Sequence, residues 1–327
     1  MRLKQLLHAA LIATTCLGAS LLSAAAQDAF PRQRILMIIP FAAGGPSDIV
    51  GRTLADGLAA ELSASVVVEN RGGGNGAPAV ATVAKSEPDG HTLLMSGEAP
   101  LAIVPALATP PYDGLAGLTP IAVFVEGGCN VLVVHPGVPA RTLREIIAMA
   151  KAAAEPLAYA SAGLGTPADT VAAEFADAAG ITLRRVSYRG AALATNDVMG
   201  GHVPIMFPHA GTVADIVASG KLVAVAASRA ARCSALPDVP TMTEQGFPLD
   251  AGKVWFGLFA PAGTPAAIAD RLHRAVQVVV TAPDFSRRLA ALQFAPLLQS
   301  DRATADAIVR REIDGWARKA AMIPGLR

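Results

Sequence analysis

No Gly-x-Ser-x-Gly elbow, no Gly-Lys-Ser/Thr phosphate loop and no His or Cys spacing suited to a metal occurs in the 327 residues. Hydrolysis by an activated serine, nucleoside triphosphate chemistry and metal catalysis therefore each lack their usual foothold. Charge is also scarce, with 27 basic and 26 acidic side chains making up 16% of the chain. That balance offers neither a nucleic acid nor an anionic membrane surface a basic face. Of three cysteines only Cys129 and Cys233 lie beyond the first 26 residues. An oxidising compartment allows those two to pair, but their separation equally suits two buried thiols.

The N-terminus reads as an export signal. Arg2 and Lys4 form a positive start, residues 6–22 are apolar but interrupted by Thr14, Thr15, Gly18 and Ser20, and Ala24-Ala25-Ala26 supplies a small-residue cleavage site before Gln27. A spanning helix needs about 20 predominantly apolar residues, and Thr14-Thr15 before Cys16 does not suit a lipoprotein signal. Cleavage near Ala26/Gln27 and a periplasmic location are expected. Loss of Arg2 and Lys4 leaves 25 basic against 26 acidic side chains on 301 residues, and a hydrophobic content of 52% is ample for two cores.

Strand and helix signals alternate along the mature chain, the pattern of a parallel sheet covered by helices. Strands are expected at 35–40, 66–69 and 92–96, and a helix at 46–62, where Val50, Leu54, Leu58 and Leu62 recur every four residues. Glu126-Gly127-Gly128 breaks a long apolar run and marks a crossing between two lobes; residues 254–260 mark the return. Between them lie helices at 142–154 and 167–179 and strands at 157–160, 182–187, 203–207 and 222–227. Helices at 265–280 and 304–319 close on the first lobe. The expected fold is α/β, two doubly wound lobes joined by two crossing strands. The first comprises residues 27–127 and 251–327, the second 128–250, behind a signal peptide of 1–26.

One device occurs twice, about 120 residues apart. Residues 35–48 and 157–169 each run from a strand through a glycine turn into a helix opened by proline and an acid: Gly44-Gly45-Pro46-Ser47-Asp48 and Gly163-Leu164-Gly165-Thr166-Pro167-Ala168-Asp169. Thr166 is placed to cap its helix, with Asp169 near a capping-box position. Either turn alone is an ordinary helix start. Two of them facing across a cleft would hold a carboxylate on backbone amides and helix dipoles, without a basic side chain. Small residues such as Ser161, Ala162 and Gly165 leave that backbone bare to a ligand.

Gly72-Gly73-Gly74-Asn75-Gly76-Ala77 and Gly163-Leu164-Gly165-Thr166-Pro167-Ala168 formally fit a relaxed dinucleotide fingerprint. Chance matches are expected in so Gly- and Ala-rich a chain, and no long helix follows the first. His91, His135 and His202 sit beside Gly or Pro at strand ends, as surface turns do. His209 follows a strand at the end expected to face the cleft, as does Glu98, making both candidate ligand contacts. A loop acid is ordinarily solvated; in a cleft, Glu98 would select an amine or another cation.

Residues 40–48, Val67-Val68-Glu69-Asn70-Arg71, residues 88–94, residues 159–166, Ala235-Leu236-Pro237-Asp238-Val239-Pro240-Thr241 and residues 255–264 together resemble the Bug-type extracytoplasmic receptors of tripartite tricarboxylate transporters. The match covers nearly all of the mature chain in order. The resemblance implies a two-lobed periplasmic binding protein of type II-like form. It would be a monomer without cofactor or catalysis, closing on a small organic carboxylate and delivering it to integral-membrane transporter subunits. An adaptor presenting the closed complex to a signalling receptor is the other function compatible with it. The binding groups it implies are Phe41, Gly44, Gly45, Pro46 and Ser47; Ser96 and Glu98; Ser161, Ala162, Gly165 and Thr166; and His209. The chain departs from the family at Leu164, where Asn is usual, at Pro167-Ala168, where Ser-His is common, and at Pro208-His209, where an Asp is usual. An altered ligand is expected from those departures.

Overall fold

A computed structural model of the protein describes residues 30–107, 115–299 and 301–322; the expected signal segment and its cleavage site lie outside them. Strands β1 (Ile35–Ile39), β2 (Val66–Asn70), β3 (Thr92–Gly97), β4 (Leu118–Gly127), β10 (Val254–Pro261) and β11 (Phe294–Pro296) form one sheet in the order β11-β4-β10-β3-β1-β2. The other sheet holds β5 (Val131–Val134), β6 (Leu157–Ser161), β7 (Leu183–Ser187), β8 (Ile205–Met206) and β9 (Val223–Ala227), ordered β7-β6-β8-β5-β9. The helices are α1 (Pro46–Leu62), α2 (Ala77–Ala84), α3 (Val104–Leu107), α4 (Leu143–Ala152), α5 (Pro167–Ala179), α6 (Ala191–Met199), α7 (Ala210–Ala218), α8 (Ala266–Thr281), α9 (Pro283–Leu289) and α10 (Arg302–Met322).

The inner strands of both sheets are buried on two faces, which is why they read as apolar runs, whereas the edge strands β2 and β7 are partly exposed. Alternation then sorts neighbours to opposite sides. Ile35, Met37 and Ile39 pack with Val50, Leu54 and Leu58 of α1 and Leu272 and Val276 of α8. Ile38 faces the other way, onto Val80 and Val83 of α2 and Val309 of α10. In the second sheet Leu132 and Val134 meet Ile146 of α4 and Phe175 of α5. Val131 and Val133 instead meet Val198 of α6 and Val213 of α7.

The sheets are mixed rather than wholly parallel. β1, β2 and β3 are parallel, as are β6, β7 and β8. β10 runs against β3 and β4, and β5 against β8 and β9. The crossings account for this. A chain that leaves a sheet where its strands end must enter the next sheet from that same side, so the strand it begins there runs backwards. β8 is shorter than the expected 203–207 because Pro204 and Pro208, which lack an amide, flank it. β11 and the short helices α2, α3, α6, α7 and α9 have no counterpart in the sequence expectation; three residues or one to three turns are too short to show a period.

Each crossing turns on glycine. Gly127 and Gly252 adopt φ of +136° and +81°, where a side chain is strained. A Cβ on Gly252 would also lie 2.9 Å from both Asn130 Oδ1 and Val171 Cγ2. Just past the first crossing, Cys129 is joined to Cys233 by a disulfide with Cα atoms 5.7 Å apart, which settles the pairing left open by the sequence. The bond closes a span of 104 residues and ties the crossing to the second sheet. Replacing both cysteines by alanine should lower the unfolding free energy by about 2–5 kcal/mol, the chain-entropy argument for so long a loop giving the upper end. Urea denaturation checks this, and an unchanged midpoint would contradict it.

Candidate functional site

The carboxyl ends of β1, β3, β6, β7 and β8 converge on a cavity of about 110 Å³ between the two sheets. That is small-molecule scale, well above the ~10–15 Å³ that seats one water. Four helices begin at its wall. Pro46 and Ser47 open α1, Pro167 and Ala168 open α5, Ala191 opens α6 after Gly190, and His209 caps α7, whose Thr212 also borders the cavity. The first amides of a helix have no intrahelical acceptor. Pro46 and Pro167 carry no amide, and the amides of Ser47 and Ala168 that follow have no acceptor among the described residues.

The two glycine turns share one wiring. Asp48, third residue of α1, accepts the Gly44 amide at 3.0 Å and Arg52 Nε at 3.0 Å. Asp169, third residue of α5, accepts the Gly165 amide at 3.0 Å and Arg185 Nε at 2.5 Å, with Tyr159 Oη donating at 2.7 Å and Ser161 Oγ at 3.2 Å. Each acid thus holds the amide four residues earlier and is itself matched by an arginine. Burial pushes the Asp48 carboxyl up, but bonds from Arg52, the Gly44 amide and Asn70 outweigh it and hold it below the usual carboxylate range. Burial, reinforced by the charge of Asp169, raises the Tyr159 hydroxyl well above its ordinary value.

Thr166 does not cap with its side chain as expected. It occupies the cap position, but its hydroxyl donates to the Gly163 carbonyl at 2.8 Å, an acceptor that the left-handed turn at Gly163 brings within reach. Of the residues singled out in the sequence, Phe41, Gly45, Pro46, Ser47, Glu98, Ala162, Thr166 and His209 border the cavity. Gly44, Ser161 and Gly165 instead form the hydrogen bonds that shape the turns, and Ser96 is buried one residue before the lining begins. Sequence reasoning missed Gly190-Ala191, which repeats the strand–glycine–helix device after β7. It also missed Asn130, Trp255, Phe256 and Phe294, brought in by the crossings and by β11.

Among the described residues, Glu98, 5% exposed, is the one carboxylate that lines the cavity, and no Lys or Arg lines it. Asn130 Oδ1 and Trp255 Nε1, an acceptor and a donor on lining residues, are buried without a partner among the described residues. His209 carries no charge at neutral pH, because burial lowers its pKa to about 4 against a weaker opposing bond to the Leu292 backbone. Two backbone amides face its ring nitrogens, Gly211 N–H at 3.3 Å from Nδ1 and Cys129 N–H at 3.4 Å from Nε2, and a neutral imidazole accepts only one of them. The ring stacks on Phe294 of the first sheet, centroids 5.4 Å apart. It ties the sheets together at the cavity floor.

Two α/β sheets, crossed twice by the chain, with strand ends and helix starts facing one cavity, define a two-lobed solute-binding protein. The profile described as "Tripartite tricarboxylate transporter family receptor" matches residues 50–323, and the chain belongs to that family. It is similar to protein BugT of Bordetella pertussis, 33% identical over 292 residues covering 89% of each chain. Among solved structures, periplasmic binding protein BugD superposes with a TM-score of 0.82 at 30% identity, over 90% of this chain and 99% of that one. MatC of Rhodopseudomonas palustris, solved with bound malate, gives 0.82 at 28% identity, over 89% and 100%. The expected fold class and family hold. The family and these neighbours are binding receptors, not enzymes.

His209 gives the fold a defined pH response. Its folded-state pKa lies below the unfolded value of about 6.5. Between about pH 4 and 6.5 the unfolded chain therefore binds a proton that the folded chain does not. Stability should fall as pH drops through that window, by about 1.4 kcal/mol per unit from this residue, and be level above it. The difference in unfolding free energy between the protein and His209→Gln, followed from pH 7 to pH 4, should carry that slope. A flat difference would contradict it.

Proposed function

We propose that the protein captures a small organic carboxylate in this cavity and delivers it to an integral-membrane transporter. Residues 27–127 with 251–327 form one jaw of the site and residues 128–250 the other. The observation that carries the reading is the meeting of four helix N-termini at a cavity that no Lys or Arg among the described residues lines. The positive ends of the helices and free amides such as those of Ser47 and Ala168 are what an anion needs there. Phe41, Gly45, Pro46, Thr166 and His209 shape the pocket around it, while Gly44, Ser161 and Gly165 fix the turns.

A neighbour of the same fold, MatC, holds malate, and the family description names a tripartite tricarboxylate transporter. The Cys129–Cys233 disulfide suits an oxidising compartment, in keeping with export and cleavage near Ala26/Gln27. No helix among the described residues is long and apolar enough to cross a membrane. Protein recovered from the periplasm should have an intact mass beginning at or near Gln27. Native mass spectrometry should show one organic acid per chain, released on gentle unfolding. Retention of residue Met1 would overturn the export step, and failure to bind any carboxylate in a calorimetric screen would overturn the receptor.

A further inference from the structure

The chain has ten Phe, three Tyr and two Trp, yet Phe41, Trp255, Phe256 and Phe294 all border the one cavity. Met206 adds a polarizable side chain to the same wall. A short hydroxylated diacid would leave these rings facing polar groups, whereas a flat apolar body would bury against them, with aromatic pairs worth more than their area alone.

The two ends of the cavity differ. Towards one side it shares Phe41, Ala162 and Thr166 with a neighbouring hollow; towards the other it shares Glu98, Val254 and Trp255 with a second. No residue borders both hollows, so the turns at Phe41–Ser47 and Ala162–Thr166 and the Glu98 carboxylate stand at opposite ends. The hollow beyond Glu98 is acidic: Glu126, Glu174, Asp250 and Glu312 also border it, against Lys253 and Arg311. Lys253 is already paired with Glu126 at 3.1 Å. The neutral ring of His209 supplies no positive charge either. A second carboxylate on the ligand would thus meet Glu98 at an end where five acids border the hollow against two cations, Lys253 on Glu126 and Arg311 3.9 Å from Glu312.

We infer that the ligand is an aromatic monocarboxylate, its acid group on the helix N-termini, its ring among Phe41, Trp255, Phe256 and Phe294, and an amine or hydroxyl donor at the far end facing Glu98. This rests on the receptor function proposed above and names its ligand class. It also gives a role to the loss of an acid at Pro208-His209: the negative group of the site sits on the first lobe, at Glu98.

Four probes separate body from end group: 4-(aminomethyl)benzoate, terephthalate, 6-aminohexanoate and adipate, titrated calorimetrically into the ligand-stripped full mature chain. The ring amine should bind tightest, by about tenfold or more over terephthalate and over 6-aminohexanoate. Glu98→Gln should cost the ring amine about tenfold and leave terephthalate as tight or tighter, since like-charge repulsion is relieved. Should Glu98→Gln fail to fold, by circular dichroism, the wild-type ranking decides alone. Tightest binding by adipate or terephthalate overturns the ligand class and leaves the receptor standing. Binding of the ring amine that is indifferent to a folded Glu98→Gln overturns the role of Glu98. No binding of any carboxylate, together with no co-purified acid, overturns the receptor itself.

Discussion

A carboxylate taken out of water must be matched by positive charge or hydrogen-bond donors, or it takes up a proton instead. Among the described residues no Lys or Arg lines the cavity, so the match falls to the backbone. Each helix N-terminus acts as about half a positive charge within its first turn, and four of them end at this wall. Dipoles fixed by helices cost no side-chain ordering when the ligand arrives, unlike the long side chain of an arginine. The arrangement reads charge and leaves the shape of the ligand to the surrounding rings.

That arrangement makes strict demands on the turns. An acid in the first turn of a helix is normal, but Asp48 and Asp169 stand close to where an anion would sit. Each is matched by its own arginine, Arg52 or Arg185, and each holds a glycine amide. The acids therefore set the loop geometry without leaving net negative charge at the site. Asp169 is fully buried and takes four donors, so the second turn is the more rigid of the two; Arg52 is half exposed and contributes less. Cavity and closure depend equally on the crossings. Gly127 and Gly252 allow the chain to pass between sheets, the disulfide anchors one crossing, and His209 on Phe294 joins the floor.

Much of this was legible in the sequence where the cause is local. Pro46 and Pro167 after glycine turns marked two helix starts, and the four-residue spacing of Val50, Leu54 and Leu58 marked the first helix. Gly190-Ala191 repeats the same local device and was overlooked, while the other missed groups have non-local causes. Phe294 reaches the site only because a three-residue strand pairs with β4, and Trp255 and Phe256 because β10 runs back from the return crossing. The hydroxyl of Thr166 was expected to cap its helix, but the turn at Gly163 offers a nearer acceptor. Cysteine pairing depended on a distance across 104 residues that no spacing rule supplies.

The central claim is that backbone amides at helix starts, not side-chain cations, hold the anion. Amide-resolved NMR of the isotopically labelled, ligand-stripped chain, titrated with benzoate, tests it most directly. The account predicts that the amides of Ser47, Ala168 and Ala191 shift together and saturate at one ligand per chain, while the side-chain Nε resonances of Arg52 and Arg185 stay in place. Saturable shifts confined to arginine or lysine side chains, with those three amides silent, would contradict it.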